Sequence, residues 1–140
     1  MRTDREAFLS GERTSDVHIF LHEDSVSDIE ALESYGERID DGIALVMDGE
    51  QARDVFQKST GIDPMALAQE AMKTDGDVSH QCADATCPDE GDGGEHTPKF
   101  IFAFAEEQNE EVGGIYAEGP VIHAYVACDC GVRYSDKWAV

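Results

Sequence analysis

The chain has 140 residues, of which 10 are Lys or Arg and 31 are Asp or Glu, giving a net charge of −21. This excess of acid disfavours nucleic acid as a partner, because nucleic-acid-binding surfaces are basic. Carboxylates at this density repel one another over a Debye length of about 8 Å in ordinary buffer, but of only about 3 Å in 1 M salt. We therefore expect a protein adapted to a very salty solvent.

The sequence contains no targeting or membrane-spanning signal. No stretch approaches the roughly 18 consecutive apolar residues that a membrane-spanning helix needs. The first 13 residues, MRTDREAFLSGER, lack the apolar core of a signal peptide. We therefore expect a cytoplasmic location, where thiols stay reduced and cysteines serve as metal ligands or free thiols rather than disulfides.

The first half of the chain predicts strands that alternate with helices. Apolar alternation over 17–21 predicts a strand covered on both faces, and the apolar run 43–47 predicts a second strand. Helix signals, among them two capping boxes, a stop at Gly61 and the Asp63-Pro64 cap, predict helices over 3–9, 27–35, 52–60 and 64–72. Such alternation is typical of a βαβ unit, so we expect the two strands to be parallel.

Residues 74–98 differ in composition from the rest of the chain. They hold seven acids, four glycines and two prolines, but no Lys or Arg. A loop of this length without regular structure is unusual inside a compact domain. We expect a single domain over residues 1–140, in which 74–98 is an acidic loop or insertion that is either disordered or tied down.

The last third of the chain predicts an antiparallel meander. Residues 99–105, KFIFAFA, alternate cleanly, and 121–127 and 132–138 predict two further strands around turns. The predicted fold class is therefore α+β. A strand-helix-strand-helix-helix N-terminal part and the C-terminal meander are expected to share one mixed sheet.

The four cysteines form two close pairs, Cys82 with Cys87 and Cys128 with Cys130. Four thiolates suit tetrahedral zinc, and the backbone amides of a turn at Gly131 can donate hydrogen bonds to sulfur. Four protein ligands close the coordination sphere, which is typical of a structural site. We predict a structural zinc that pins the acidic loop to the last hairpin.

Other interpretations of the cysteines stay open at this stage. His80, two residues before Cys82, is an alternative ligand to one thiolate. All four cysteines are instead ordinary thiols if no metal binds, some of them buried as small hydrophobes. A redox pair is less favoured, because the C-x-x-C spacing is absent and acidic surroundings raise thiol pKa values.

Acidic strand ends supply a competing hypothesis. If the first two strands are parallel neighbours, their carboxyl ends bring together His22, Glu23, Asp24 and Asp48. Oxygen ligands suit magnesium, so the alternative function is a metal-dependent phosphoryl-transfer or hydrolytic enzyme. The simpler interpretation is that these acids complement helix N-termini, since no phosphate-binding glycine loop accompanies them.

Residues 119–140 carry no net charge, because Arg133 and Lys137 balance two aspartates. This segment also contains two tyrosines and the single tryptophan, Trp138. Trp, Tyr and Arg dominate interface hot spots, so the segment is either a surface for a protein partner or a set of core strands. Two cations are too few for a nucleic-acid site.

Much of the chain resembles a family of small acidic proteins from halophilic archaea. The resemblance lies in FLSGERTSDVHIFL at 8–21, FIFAFAEEQNEEVGGIYAEG at 100–119 and VACDCGVRYSDKW at 126–138. That family is a domain of unknown function, so the resemblance implies salt adaptation and a cytoplasmic location but no activity or functional residue. We therefore predict a zinc-stabilised binding or adaptor module, with the metal-dependent enzyme as the alternative.

Overall fold

A computed structural model of the protein describes residues 4–25, 29–33, 36–39, 41–88 and 97–140. A 3₁₀ turn covers Glu23–Ser25, and the helices are α1 Asp4–Leu9, α2 Ile29–Leu32, α3 Gly49–Thr60, α4 Pro64–Ala71 and α5 Ile115–Glu118. The strands are β1 Asp16–His22, β2 Glu37–Ile39, β3 Gly42–Asp48, β4 Asp77–Val78, β5 Ala85–Thr86, β6 Pro98–Glu106, β7 Val121–Cys128 and β8 Arg133–Ala139.

Six of these strands form one sheet in the order β2-β3-β1-β6-β7-β8, and β4 and β5 form a separate pair. The α+β class is confirmed, as is the expectation that the N-terminal strands and the C-terminal meander share a sheet. All neighbours in the large sheet run antiparallel.

The predicted parallel pairing of the first two strands is wrong, because β1 and β3 are antiparallel neighbours. A parallel connection needs a crossover of a dozen or more residues, usually a helix, that carries the chain back across the sheet. Here α2 is only four residues long. The chain instead turns back at the sheet edge through the unpredicted strand β2, whose Ile39 pairs with Gly42.

Strand β1 is covered on both faces, as its sequence predicts. Val17, Ile19 and Leu21 enter a core with α3 and α4, in which the Phe56 ring lies edge-on to Phe102 at 5.2 Å. The other buried members of that core are Ile43, Leu45, Ala52, Leu67, Ala71, Phe100, Tyr125 and Ala127. The intervening side chains of β1 point to a second core beneath α1 and the β4–β5 hairpin.

The caps of the two long helices confirm the sequence signals. The Asp48 carboxylate accepts the Gln51 amide at the start of α3, and Gly61 ends that helix at φ +74°. Asp63 accepts the Met65 amide, with Pro64 at the first helical position of α4. The capping serine and threonine predicted for the two earlier helices lie outside the described residues.

The described part of the acidic segment is fastened to β8. The Gly76 amide donates to the Ser135 carbonyl at 3.0 Å, and the Ser135 amide donates to the Thr74 carbonyl at 2.9 Å. The Val78 amide then donates to the Asp136 carboxylate at 3.1 Å. Residues 74–88 therefore form a hairpin that closes one face of the sheet.

None of the helices in the described ranges combines the length and apolar character needed to cross a membrane.

The close approach of β3 to β1 generates a prediction about Gly42. A Cβ at this position would meet the Leu21 carbonyl oxygen and would lie 2.6 Å from a carbon of the Phe20 ring. We expect Gly42→Ala to lower the free energy of unfolding by roughly 1–3 kcal/mol. The matched variant Gly49→Ala, whose Cβ meets nothing closer than 3.9 Å, should be neutral or slightly stabilising. Urea denaturation in molar salt measures both, and equal midpoints would contradict the packing argument.

His18 is a fully buried histidine on the face of β1 that α1 covers. Its Nε2 accepts a hydrogen bond from Arg5 Nε at 3.2 Å, and its ring lies 5.6 Å from that of Phe8. Among the described residues, Nδ1 has no hydrogen-bond partner. Burial, reinforced by the Arg5 charge, lowers the pKa of His18 from 6.5 to about 3. The folded protein therefore holds this ring neutral.

This depressed pKa predicts an acid sensitivity. Between the unfolded pKa of 6.5 and the folded value of about 3, only the unfolded chain protonates His18. Stability should therefore fall with decreasing pH across that window, by up to about 1.4 kcal/mol per pH unit from this one group. Urea midpoints from pH 4.5 to 6.5 should fall less steeply in His18→Leu than in the wild type. The control His22→Asn should keep the wild-type slope, and an unchanged slope in His18→Leu would refute the assignment.

Candidate metal centre

Three cysteines from two distant parts of the chain meet at the end of β7. The sulfur atoms of Cys87, Cys128 and Cys130 all lie within 4.8 Å of one another, and those of Cys87 and Cys130 are 3.8 Å apart. Zinc–sulfur bonds of about 2.3 Å in a tetrahedron place two sulfurs about 3.8 Å apart. The three thiols therefore have the spacing to hold a metal ion.

Two of the three cysteines come from the tight turn between β7 and β8. The Cys128 amide donates to the Val132 carbonyl at 2.9 Å, and the Gly131 amide donates to the Cys128 carbonyl at 3.0 Å. Gly131 has φ +96°, a left-handed conformation that glycine adopts without strain. The backbone N–H of Cys130 also donates to the Cys128 sulfur, an interaction that favours the thiolate.

The third cysteine, Cys87, is positioned by the β4–β5 hairpin, because it directly follows β5. The start of β6 is bound to the same turn. The Asp129 amide donates to the Thr97 carbonyl at 3.0 Å, and the Thr97 amide donates back to Asp129 Oδ1 at 3.1 Å. Three chain segments thus converge on the residues that would surround an ion.

Burial sets the protonation of the thiols. Cys87 and Cys128 are buried, whereas Cys130 is exposed. Burial raises the pKa of Cys128 to about 12, in spite of the opposing Cys130 amide. Without a metal this thiol is neutral at physiological pH, and a bound cation would have to displace its proton.

Tyr134 places an unpartnered hydroxyl beside the thiols. Its side chain is fully buried and its hydroxyl has no hydrogen-bond partner in the described part of the chain. Burial first, and then the electrostatic influence of the nearby Cys128 and Cys87, raise the pKa of Tyr134, so the hydroxyl keeps its proton and stays a neutral donor. Gly76 permits this placement, because a Cβ there would overlap the Tyr134 ring. A donor without an acceptor fits a site whose sulfurs become thiolates when a cation binds.

The fourth predicted ligand, Cys82, does not lie in this group. It occupies the β4–β5 turn at φ +56° and is fully buried. Burial raises the pKa of the Cys82 thiol to about 12, and the nearby Arg5 charge opposes that shift. Arg5 also donates to the Gln81 carbonyl at 2.6 Å, so this turn is held against α1. The His80 ring stacks on Trp138 at 4.5 Å, also away from the three sulfurs.

The acidic strand ends do not converge, and the enzyme site predicted there is wrong. In the antiparallel pairing His22 lies opposite Gly42 and Asp48 lies opposite Asp16, so Asp48 is about 20 Å from His22 along a seven-residue strand. Each group has a local role instead. Asp48 caps α3, Glu23 pairs with Arg38 at 3.0 Å, and His22 accepts the Asp24 amide.

The fold and the thiol cluster define an antiparallel α+β protein with a cysteine site that can hold a metal. The model of a family of unknown function, DUF5807, matches residues 36–140, and the chain belongs to this family. No curated protein and no solved structure is similar enough to match.

The unpartnered Tyr134 hydroxyl predicts an unusual effect of its removal. In metal-free protein, Tyr134→Phe should raise the free energy of unfolding by about 1–2 kcal/mol, because it deletes a buried hydroxyl without a partner. Urea denaturation with chelator in molar salt measures this. Tyr125→Phe, whose hydroxyl is not a buried orphan, should give no such gain. A loss of stability in Tyr134→Phe would show that the hydroxyl already has an acceptor.

Proposed function

We propose that the protein is a zinc-stabilised binding or adaptor module of a salt-adapted cytoplasm. The observation that supports a bound metal is that the sulfur atoms of Cys87, Cys128 and Cys130 lie within 4.8 Å of one another. Thiolates are soft ligands, and a tetrahedral thiolate set selects zinc over magnesium or calcium. The net charge of −21 supports the salty setting, because only high ionic strength screens that much like charge.

The role of the zinc is structural. It would join the β4–β5 hairpin, which carries Cys87, to the β7–β8 turn. Arg5 holds the turn of this hairpin and hydrogen bonds from residues 74–78 join its start to β8, so the zinc would add a crosslink at the Cys87 end. A metal crosslink between segments about 40 residues apart removes conformational freedom from the unfolded chain, as any loop-closing bond does.

Substitution of each candidate residue in turn identifies the fourth zinc ligand. The sequence spacing predicts Cys82, and His80 is its alternative. We add a substitution of His96 to this set of variants. This residue precedes Thr97 in the sequence and lies outside the described ranges. The variant that loses zinc without losing the fold identifies the fourth ligand.

The binding role is assigned to residues 119–140, the neutral segment of an otherwise acidic chain. Part of this segment is core, since Tyr134 and Trp138 are buried. Lys137, the exposed residue of β8, lies on the side of that strand opposite Tyr134 and Trp138 and is available to a partner. A protein partner would meet less charge repulsion here than elsewhere on the surface.

Metal content tests the site directly. Protein purified in molar salt should contain one zinc per chain by elemental analysis, and each of Cys87→Ser, Cys128→Ser and Cys130→Ser should lose it. Cobalt-loaded protein should show thiolate-to-metal charge-transfer bands and tetrahedral visible absorption. Full thiol reactivity together with no zinc in the wild type would refute the metal centre.

Removal of the metal should loosen one part of the molecule. Hydrogen exchange with and without chelator should show lost protection at residues 74–88 and 128–131, while β1, β3, α3 and α4 stay protected. The reason is that the hairpin depends on the crosslink, whereas the core of α3 and α4 lies on the other face of the sheet. Loss of protection spread evenly over both faces would contradict this.

A further inference from the structure

A cleft of about 450 Å³ lies at the β7–β8 end of the sheet face that α3 and α4 cover. Its floor is formed by His123 and Tyr125 of β7 with their cross-strand partners Lys137 and Ser135 of β8. Tyr116 of α5 also lines it. Small-molecule sites commonly have volumes of about 300–1,000 Å³ and combine aromatic surface with a few polar groups.

A row of four aromatic rings runs beside this cleft, and three of them, Tyr116, His123 and Tyr125, line it. The Tyr116 and His123 rings are 6.0 Å apart and inclined by 29°, and the His123 and Phe104 rings are 4.9 Å apart and inclined by 20°. Phe104 continues the row to Tyr125, at 5.8 Å and 28°. Rings nearly parallel to one another give this side of the cleft an aromatic surface against which another planar molecule can pack.

The polar groups of the cleft are fixed in position. His123 is hydrogen-bonded to Glu106 at 2.9 Å, which orients the imidazole. The ammonium of Lys137 lies 5.5 Å from the Tyr116 ring centroid, and no carboxylate pairs with it in the described part of the chain. The neighbouring Asp136 carboxylate is already bonded to the amides of Val78 and Lys137, at 3.1 and 2.8 Å. The cleft therefore presents a cation without a direct carboxylate partner beside aromatic rings, and the Asp75 and Asp136 carboxylates also line it.

We propose that this cleft binds a small planar aromatic molecule that carries one anionic group. The ring stacks on the wall formed by Tyr116 and His123, and the anion pairs with Lys137. The Asp75 carboxylate, which also lines the cleft, accepts an N–H or O–H on the ring. Two sources share this chemistry: a purine nucleoside monophosphate and an amino-substituted aromatic carboxylate.

The aromatic and cationic residues of this site lie apart from the proposed zinc centre, and only Asp75 belongs to the segment that the zinc would hold. Tyr125 belongs to the core under α3 and α4, whereas Cys87 and Cys128 belong to the core on the other face of the sheet. A protein without zinc would leave the cleft proposal standing, and an empty cleft would leave the zinc proposal standing.

The test titrates AMP and 4-aminobenzoate separately into ¹⁵N-labelled full-length protein as purified from molar salt, and follows amide shifts by NMR. Saturable shifts confined to residues 116, 123–125 and 135–137, with a submillimolar Kd for one probe, are the expected result. The probe that binds shows which of the two ligand classes the cleft recognises. Adenosine or aniline, its uncharged counterpart, should bind at least tenfold more weakly.

Variants separate ligand recognition from loss of structure. Lys137→Met and Tyr116→Leu should each raise Kd at least tenfold while their spectra away from the cleft stay those of the wild type. Lys58→Met, on the surface of α3, removes the same charge elsewhere and should bind like the wild type. No saturable shift with either probe at 5 mM, or equal affinity in Lys137→Met, overturns the proposal.

Discussion

Hydrogen bonds along both edges of β1 set the arrangement of the described structure. Because β3 and β6 both pair with this strand antiparallel, it lies inside the sheet, and alternate side chains must be buried on opposite faces. One face needs α3 and α4 as cover, and the other needs α1 and the β4–β5 hairpin. The same antiparallel pairing places the carboxyl end of β1 beside the amino end of β3. The polar residues at the carboxyl ends of these two strands therefore do not meet.

Arginine side chains tie these covers to the sheet. Arg5 links α1 to β1 and to the β4–β5 turn, Arg13 bonds Asp4 of α1 and Asp16 of β1, and Arg133 of β8 bonds Glu70 of α4. Exposed pairs of this kind are individually worth about 0–1 kcal/mol, and less in concentrated salt. Their role here is to position the covering elements on the sheet, since several of the 10 Lys and Arg residues join different elements.

Strong periodic signals were sufficient to predict the central elements. The alternation from Val17 to Leu21, the apolar run from Ile43 to Met47 and the Asp63-Pro64 cap each gave the observed element. The parallel pairing failed because a pattern of apolar residues does not reveal that α2 would be four residues long. Strands β2, β4 and β5 are two or three residues long, too short for any period to register.

The candidate site was predicted in part, for a similar reason. The C-x-C pair on a glycine turn has one local geometry available, so Cys128 and Cys130 were certain to be neighbours. The C-x4-C pair has no such restriction. Cys82 lies in the hairpin turn held by Arg5, while Cys87 follows β5, so the hairpin places the two cysteines at different points. Spacing alone carries no information about that contact.

The unequal burial of the three sulfurs has a consequence for metal exchange. Cys87 and Cys128 are 1% and 3% exposed, whereas Cys130 lies at the surface. A chelator, an oxidant or a competing ion therefore reaches the centre from the Cys130 side first. If a metal is bound here, its dissociation would begin with the Cys130 bond and proceed inward, so the least protected cysteine would set its lifetime. Such a site would be open to exchange from one direction only.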